Sequence, residues 1–422
     1  MTTRLFPTAI LILLVGCSAP TRPDVPTQTL PPSAPMLAPS ATILPPSTPT
    51  HSPTSAATLT IPQDSGIRLY ALDMKSMANG WAIGRILPDD APYYFPPRVV
   101  VTEDGGQTWV DRSPGFPTLD PELLLLPGPS AGFLFHDARA AWAIYPGLEQ
   151  PVWRTLDGGS TWQVSSQTFM TRGIGSEFFF LDHMRGWLLV FIDALTNSSV
   201  ATDLFRTLDG GATWEQLASA TGDGSLNSCG KGGVAFADHS TGWIALSCPD
   251  TPPSYFRTFD GGRTWTQEFA PPPSVEESYY CFSYDVYSPV LFEPSKGSFL
   301  VSCSGGSLET LAHPGYLYTT SDSGHSWATY PLPAPEVAFI NPQVLWAFDD
   351  SHLFLSTDGG VTWEAEPLFP WEGNFSFIDE RTLFAISYPL DSAGNRIVQA
   401  KSTLFSIDGA LTWQEIPPGS PP

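Results

Sequence analysis

Positive charge is scarce in this 422-residue chain: 19 Lys and Arg stand against 42 Asp and Glu, a net charge of −23. So acidic a surface repels phosphate backbones, which excludes nucleic acid as a partner. Charged residues of both signs make up only 14% of the chain, and cysteine occurs five times. Seven histidines show no metal-binding spacing. The apolar run at residues 9–15 is too short to span a bilayer. What the chain has in quantity is 36 Gly, 44 Pro and 13% aromatic residues, with 42% hydrophobic content overall. That is enough apolar surface for a large core, and wholesale disorder is excluded. The mixture disfavours long helices and suits short strands joined by turns, so the expected class is all-β.

The beginning of the chain reads as an address. Arg4 precedes the apolar run, and Leu14-Val15-Gly16-Cys17 matches a bacterial lipobox. Residues 1–17 are therefore expected to be a removable lipoprotein signal, with Cys17 acylated and the protein held on the extracytoplasmic side of a membrane. From residue 18 to 62, 27 of 45 positions are Pro, Thr or Ser. Such a segment builds no core and is expected to be a disordered tether. The folded part is placed at 63–417, with a tail at 418–422.

One turn then recurs seven times. Its first copies are Thr102-Glu-Asp104-Gly-Gly106-Gln-Thr108-Trp109, Thr155-Leu-Asp157-Gly-Gly159-Ser-Thr161-Trp162 and Thr207-Leu-Asp209-Gly-Gly211-Ala-Thr213-Trp214. The later ones centre on Asp260 with Trp265, Asp322 with Trp327, Asp358 with Trp363, and Asp408 with Trp413. Successive tryptophans lie 53, 52, 51, 62, 36 and 50 residues apart. A second aromatic precedes each box: Trp81, Trp142, Trp187, Trp243, Phe299, Trp346 and Phe384. The unit reads strand, tight turn, strand, loop, strand, Asp-Gly turn, strand. Four short strands per unit of about 50 residues mark a propeller blade. Within the box, Asp accepts backbone N–H bonds, Gly takes positive φ and Thr adds a hydroxyl bond. The seven Asp are expected to be structural, because calcium needs six to eight oxygens at one point and these are spread over seven turns.

At these residues the chain resembles the BNR/Asp-box repeat superfamily, which includes sialidases, xyloglucanases, the sortilin ectodomain and photosystem II assembly-factor-like propellers. The paired Gly-Trp and Asp-Gly-Gly-x-Thr-Trp landmarks look most like the last branch. The resemblance covers about 67–417 and implies a seven-bladed propeller of four-stranded antiparallel blades. It implies no particular activity.

In such a blade the first–second and third–fourth turns share one face. The longer segments 85–98, 110–130, 191–203, 266–287, 304–314 and 388–401 fall on the other, where binding residues are expected. Asp89, Asp90, Tyr93, Tyr94 and Phe95 lie in one loop and Glu276, Glu277, Tyr279 and Tyr280 in another, while Trp371 with Glu372 precedes the last blade. Aromatic faces beside carboxylates suit sugars or a cationic partner segment. Arg154, Arg206 and Arg257 each precede a box at the same blade position, which reads as repeat-encoded packing rather than a sialidase arginine cluster. No nucleophile triad, phosphate loop or cofactor motif is present. The expectation is a monomeric, lipid-anchored, non-catalytic module that binds a protein or glycan and needs neither cofactor nor metal. The alternative is a sialidase-like exo-glycoside hydrolase. Exported cysteines are expected to pair. Cys229–Cys248 with Cys281–Cys303 is favoured, each tying one hairpin, and Cys248–Cys303 is the alternative.

Overall fold

Strands and turns account for the regular structure of the described residues, as the Gly- and Pro-rich composition predicts. The computed structural model describes residues 54–55, 59–61, 67–86, 97–115, 131–147, 149–171, 175–196, 199–222, 225–249, 251–273, 283–304, 315–397 and 402–417, and none of these is helical. Residues 49–422 form one compact unit. Consecutive runs of four antiparallel strands occupy 67–111, 132–169, 175–218, 230–269, 283–331, 336–365 and 371–415.

Hydrogen bonding groups these runs differently from the expected set of seven separate four-stranded blades. Among the described residues there are six sheets, of which five are small, with four or five strands each, and one has eight. The large sheet joins the fourth and fifth runs, where Cys248 and Pro249 at the end of strand Gly242–Pro249 pair with Tyr284 and Ser283 of strand Ser283–Glu293. The strand Gly230–Phe236 reaches no further along this neighbour than Ser247, so the remaining edge is open to the next run. Two sheets gain a fifth strand from the segment expected to be a disordered tether. Thr54–Ser55 adds to Thr161–Phe169, and Leu59–Ile61 adds to Trp109–Asp111. An unpaired outer edge takes up any strand that reaches it, which is why the expectation fails at these positions.

The apolar core consists of clusters, each bridging two successive runs. Trp81, Trp142, Trp187 and Trp243 head the first four. Leu300 with Leu345 and Trp346 with Leu383 continue the series. Phe384 and Ile416 pack on Met74, so the last run closes on the first. Ser376 Oγ also accepts a bond from the Met74 amide at 2.8 Å. The result is a ring of small antiparallel sheets.

Candidate functional site

The box turns are closed hydrogen-bond rings. Thr102 Oγ1 donates to Asp104 Oδ1 at 2.8 Å and accepts from the Gly106 amide at 2.7 Å. The Thr108 amide donates to Oδ1 at 2.8 Å and the Thr108 hydroxyl to Oδ2 at 2.6 Å. The same set recurs at Asp157, Asp209, Asp260, Asp322, Asp358 and Asp408, with hydroxyl–Oδ2 distances of 2.6–2.7 Å. Burial by itself would raise the Asp104 and Asp157 carboxyls, but their bonds to Thr108 and Thr161 bring them below the ordinary range. The Ser326 hydroxyl and amide pull Asp322 down to about 2. Each carboxylate is thus held toward its ionised form with both oxygens engaged within its own turn.

Both turns of each run sit at one end. The box amide bonds to the first–second turn in every copy, from Gly105 N to Ala78 O at 2.8 Å through to Gly409 N to Arg381 O at 3.0 Å. The box arginines join neighbouring runs at this same end. Arg154 donates to the Asp209 carbonyl at 2.5 Å and to Gln163 Oε1 at 2.8 Å. Arg257 donates to the Ser323 carbonyl and pairs with Glu268 at 2.5 Å. They pack the ring together, as expected. A shallow pocket of about 230 Å³ also opens here, between Asp104, Gly105 and Gln107 and the closing residues Phe384, Phe405 and Ile416.

Most candidates named from sequence lie outside the described residues: Asp89, Asp90, Tyr93, Tyr94, Phe95, Glu276, Glu277, Tyr279 and Tyr280, as do Cys17 and Cys281. Trp371 is described. It and Glu372 open the strand Trp371–Phe377 rather than lying in a loop. The Trp371 ring stacks on Phe369 at 4.2 Å and meets Trp413 edge-on at 5.3 Å. These contacts leave the ring half-buried. Likewise, much of 191–203, expected as a loop, continues a hairpin in which Phe191 faces Thr202 and Ala194 faces Val200.

Glu372 belongs to an ion network that joins the sixth and seventh runs. Arg396 Nε donates to Glu372 Oε2 at 2.5 Å and Arg396 Nη2 meets Asp350 Oδ2 at 2.5 Å, with the guanidinium 5.3 Å from the Tyr388 ring centroid. Two further ionisable groups lie on the first strands of the third and fourth runs. Burial pushes Glu177 up to about 7; Gly233 and the Val234 amide, 3.3 Å from Glu177 Oε1, hem it in although its outer surface keeps some exposure. Burial also brings Lys231 down to about 8, where it donates to the Cys229 carbonyl at 2.7 Å. Sequence reasoning singled out neither, since nothing local marks a first-strand residue as enclosed.

Cys229 and Cys248 are disulfide-bonded, as favoured, which rules out Cys248–Cys303. One group with metal-ligand geometry occurs among the described residues: His136, Asp137 and His183, whose ligand atoms lie within 4.8 Å of one another. Partial burial holds His136 below its ordinary pKa, toward the neutral form. The expectation of no metal spacing missed this group because its histidines are 47 positions apart and belong to turns of different runs.

A closed ring of four-stranded antiparallel runs, each fastened by an Asp-centred turn and an inter-run aromatic, defines a β-propeller. The BNR/Asp-box repeat model matches residues 354–365, and the other six turns repeat that copy's bonding. No curated protein matches the chain. Among solved structures, a YCF48 bound to D1 peptide is 15% identical with a TM-score of 0.45, covering 79% of this chain and 96% of that one. The GH74 xyloglucanase from Xanthomonas campestris is 16% identical with a TM-score of 0.44, covering 86% and 69%. The GH93 α-L-arabinofuranosidase of Fusarium graminearum, complexed with arabinobiose, is 11% identical with a TM-score of 0.40, covering 66% and 92%. Likenesses at this level bear on neither substrate nor partner.

Proposed function

We propose that this chain is a seven-bladed, membrane-tethered binding module that grips a protein or glycan at the loop-bearing end of the ring and carries out no reaction. The eight-stranded sheet counts as two blades in this reading, because seven core clusters separate seven four-stranded runs. The observation that carries the proposal is the division of labour between the two ends. Box carboxylates and box arginines are consumed in turn and ring bonds. Among the described residues, the carboxylates at the other end include Glu177, Asp285, Glu336, Asp350 and Glu372, and the cations Arg98, Lys231 and Arg396. An excess of carboxylates favours a cationic or hydroxyl-rich partner surface. Acylated Cys17 and a Pro-rich spacer reaching on the order of 100 Å would place that end well clear of the lipid, on the extracytoplasmic side.

The test is capture in intact envelopes with chemical crosslinking. Replacing Tyr93 and Tyr94 by Ala is expected to abolish capture while leaving the thermal transition in place; unchanged capture refutes the binding face. Metabolic labelling with an alkynyl fatty acid is expected to mark the wild type and not Cys17→Ala. The hydrolase alternative has one feature in its favour, a carboxyl at Glu177 whose pKa burial raises to about 7, toward the range a general acid uses. Turnover of chromogenic glycosides that disappears in Glu177→Gln would replace the binding reading with that one.

A further inference from the structure

The first–second turns follow one pattern, and the second run breaks it. In six of them an amide N–H donates to the carbonyl four residues on: Lys75 to Asn79, His136 to Ala140, Leu181 to Arg185, Ala237 to Thr241, Ile340 to Val344 and Ile378 to Thr382. The residue at that leading position is apolar in four copies. In the first copy it is Lys75, whose ammonium is already paired with Asp73 at 2.8 Å. In the second it is His136, half-buried and edge-on to Trp142 at 6.2 Å. The next position caps the turn: Asp137 Oδ1 accepts the Arg139 and Ala140 amides at 2.7 and 2.8 Å, just as Asp182, Asp238, Asn341 and Asp379 do in their turns. Capping uses only Oδ1. In the third run Asp182 Oδ2 is taken by Arg185. Asp137 Oδ2 is instead met by His183 Nε2 at 2.5 Å, from the neighbouring turn. The His136 and His183 ring centroids are 5.3 Å apart.

We propose that His136, Asp137 and His183 form a divalent transition-metal site that clips the turn of the second run to that of the third. Two imidazoles and one carboxylate are a donor set for Zn²⁺, Ni²⁺ or Co²⁺, whereas Ca²⁺ and Mg²⁺ need more oxygens. The donors already lie within 4.8 Å of one another. Metal–nitrogen bonds of about 2.0–2.1 Å draw them together with a rotation of the exposed His183 side chain, and water completes the shell. The position of Asp137 is set beforehand: its carbonyl accepts the Trp81 indole N–H at 2.7 Å, from the first run. The site lies on the box face and is independent of the partner-binding end.

The test is zinc equilibrium dialysis of the full chain, with thermal unfolding in parallel. Repeat positions supply variants whose side chains the turn already accommodates. His136→Leu copies Leu181, Asp137→Asn copies the cap Asn341, and His183→Ala copies Ala138. The wild type is expected to retain one more zinc per chain than His136→Leu or His183→Ala, and to gain thermal stability with added zinc where those variants do not. Asp137→Asn should weaken binding by about tenfold or more while the turn survives. His239→Ala, at the matching position of the fourth run, should behave as wild type. Equal zinc retention by wild type and His136→Leu overturns the proposal. So does a wild-type chain that takes up none of the three metals.

Discussion

Trp187 and Phe236 lie face to face across the junction of the third and fourth runs, with ring centroids 3.6 Å apart and planes 7° from parallel. The Trp187 indole N–H goes on to donate to the Gly261 carbonyl of the fourth run's box at 3.0 Å. Trp142 does the same with Phe180 and the Gly210 carbonyl. Trp81 and Trp346 follow suit, so four of the second-strand aromatics tie their runs to the next through both a ring and a hydrogen bond. The role of this landmark is to hold the ring together. Trp187→Ala should cost about 3–5 kcal/mol, the range for losing a large buried ring. Trp187→Phe should cost about 1–2 kcal/mol by leaving the Gly261 carbonyl without its donor. Urea unfolding checks both, and a loss below 1 kcal/mol (~) for the alanine variant would contradict the tie.

The box demands two successive residues with positive φ, and two copies supply a side chain where the others have Gly. Ser323 sits at φ 63° and Ala410 at φ 69°. Left-handed backbone costs a non-Gly residue about 1–2 kcal/mol, while Gly loses more chain entropy on folding. Ser323→Gly and Ala410→Gly should therefore each raise stability by about 0.5–1 kcal/mol. A fall in the melting temperature of both would show that the strain is relieved in some other way.

Glu177 and Lys231 give opposite pH slopes. Glu177 titrates at about 7 when folded against an ordinary 4.5, so between those values the folded state binds the extra proton. Stability should fall as pH rises through that window. Lys231 titrates at about 8 against an ordinary 10.5, so there the unfolded state binds more protons and stability should rise with pH. Denaturation midpoints measured from pH 5 to 10 should show a dip between. Glu177→Gln should flatten the acidic limb alone; a limb unchanged in that variant would assign it to other groups.

The Cys229–Cys248 bond closes a loop of 19 residues at the place where pairing passes from the fourth run to the fifth. Loop-closure entropy of that size corresponds to about 3 kcal/mol. Cys229→Ser with Cys248→Ser should lose about that much in urea, and a non-reducing peptide map of the wild type should contain the linked pair. Loss well below 1 kcal/mol (~) would place the constraint in the strand pairing instead.

The Asp boxes were legible in sequence because every bond in them is local: hydroxyl, carboxylate, amide and second hydroxyl fall within seven residues, as from Thr102 to Thr108. The second-strand aromatics were legible for a related reason, since each opens an apolar run at a fixed place in the repeat. Trp371 was misplaced because a Trp-Glu pair after a Pro looks like a loop until Phe369 and Trp413 close around it. The short strands at 54–55 and 59–61 were illegible in a segment whose composition builds no core; they form only because an outer edge is there to receive them.

By itself, the order of residues determined the all-strand class, the repeating turn and which end of each run is short, all consequences of interactions spanning a few positions. Tertiary structure alone decided that the fourth and fifth runs share one sheet, that Glu177 is enclosed, and that His136 meets His183. Each of these depends on which runs lie side by side, and on how far one strand outlasts its neighbour. Closing a ring brings distant positions together without leaving any mark in the spacing between them.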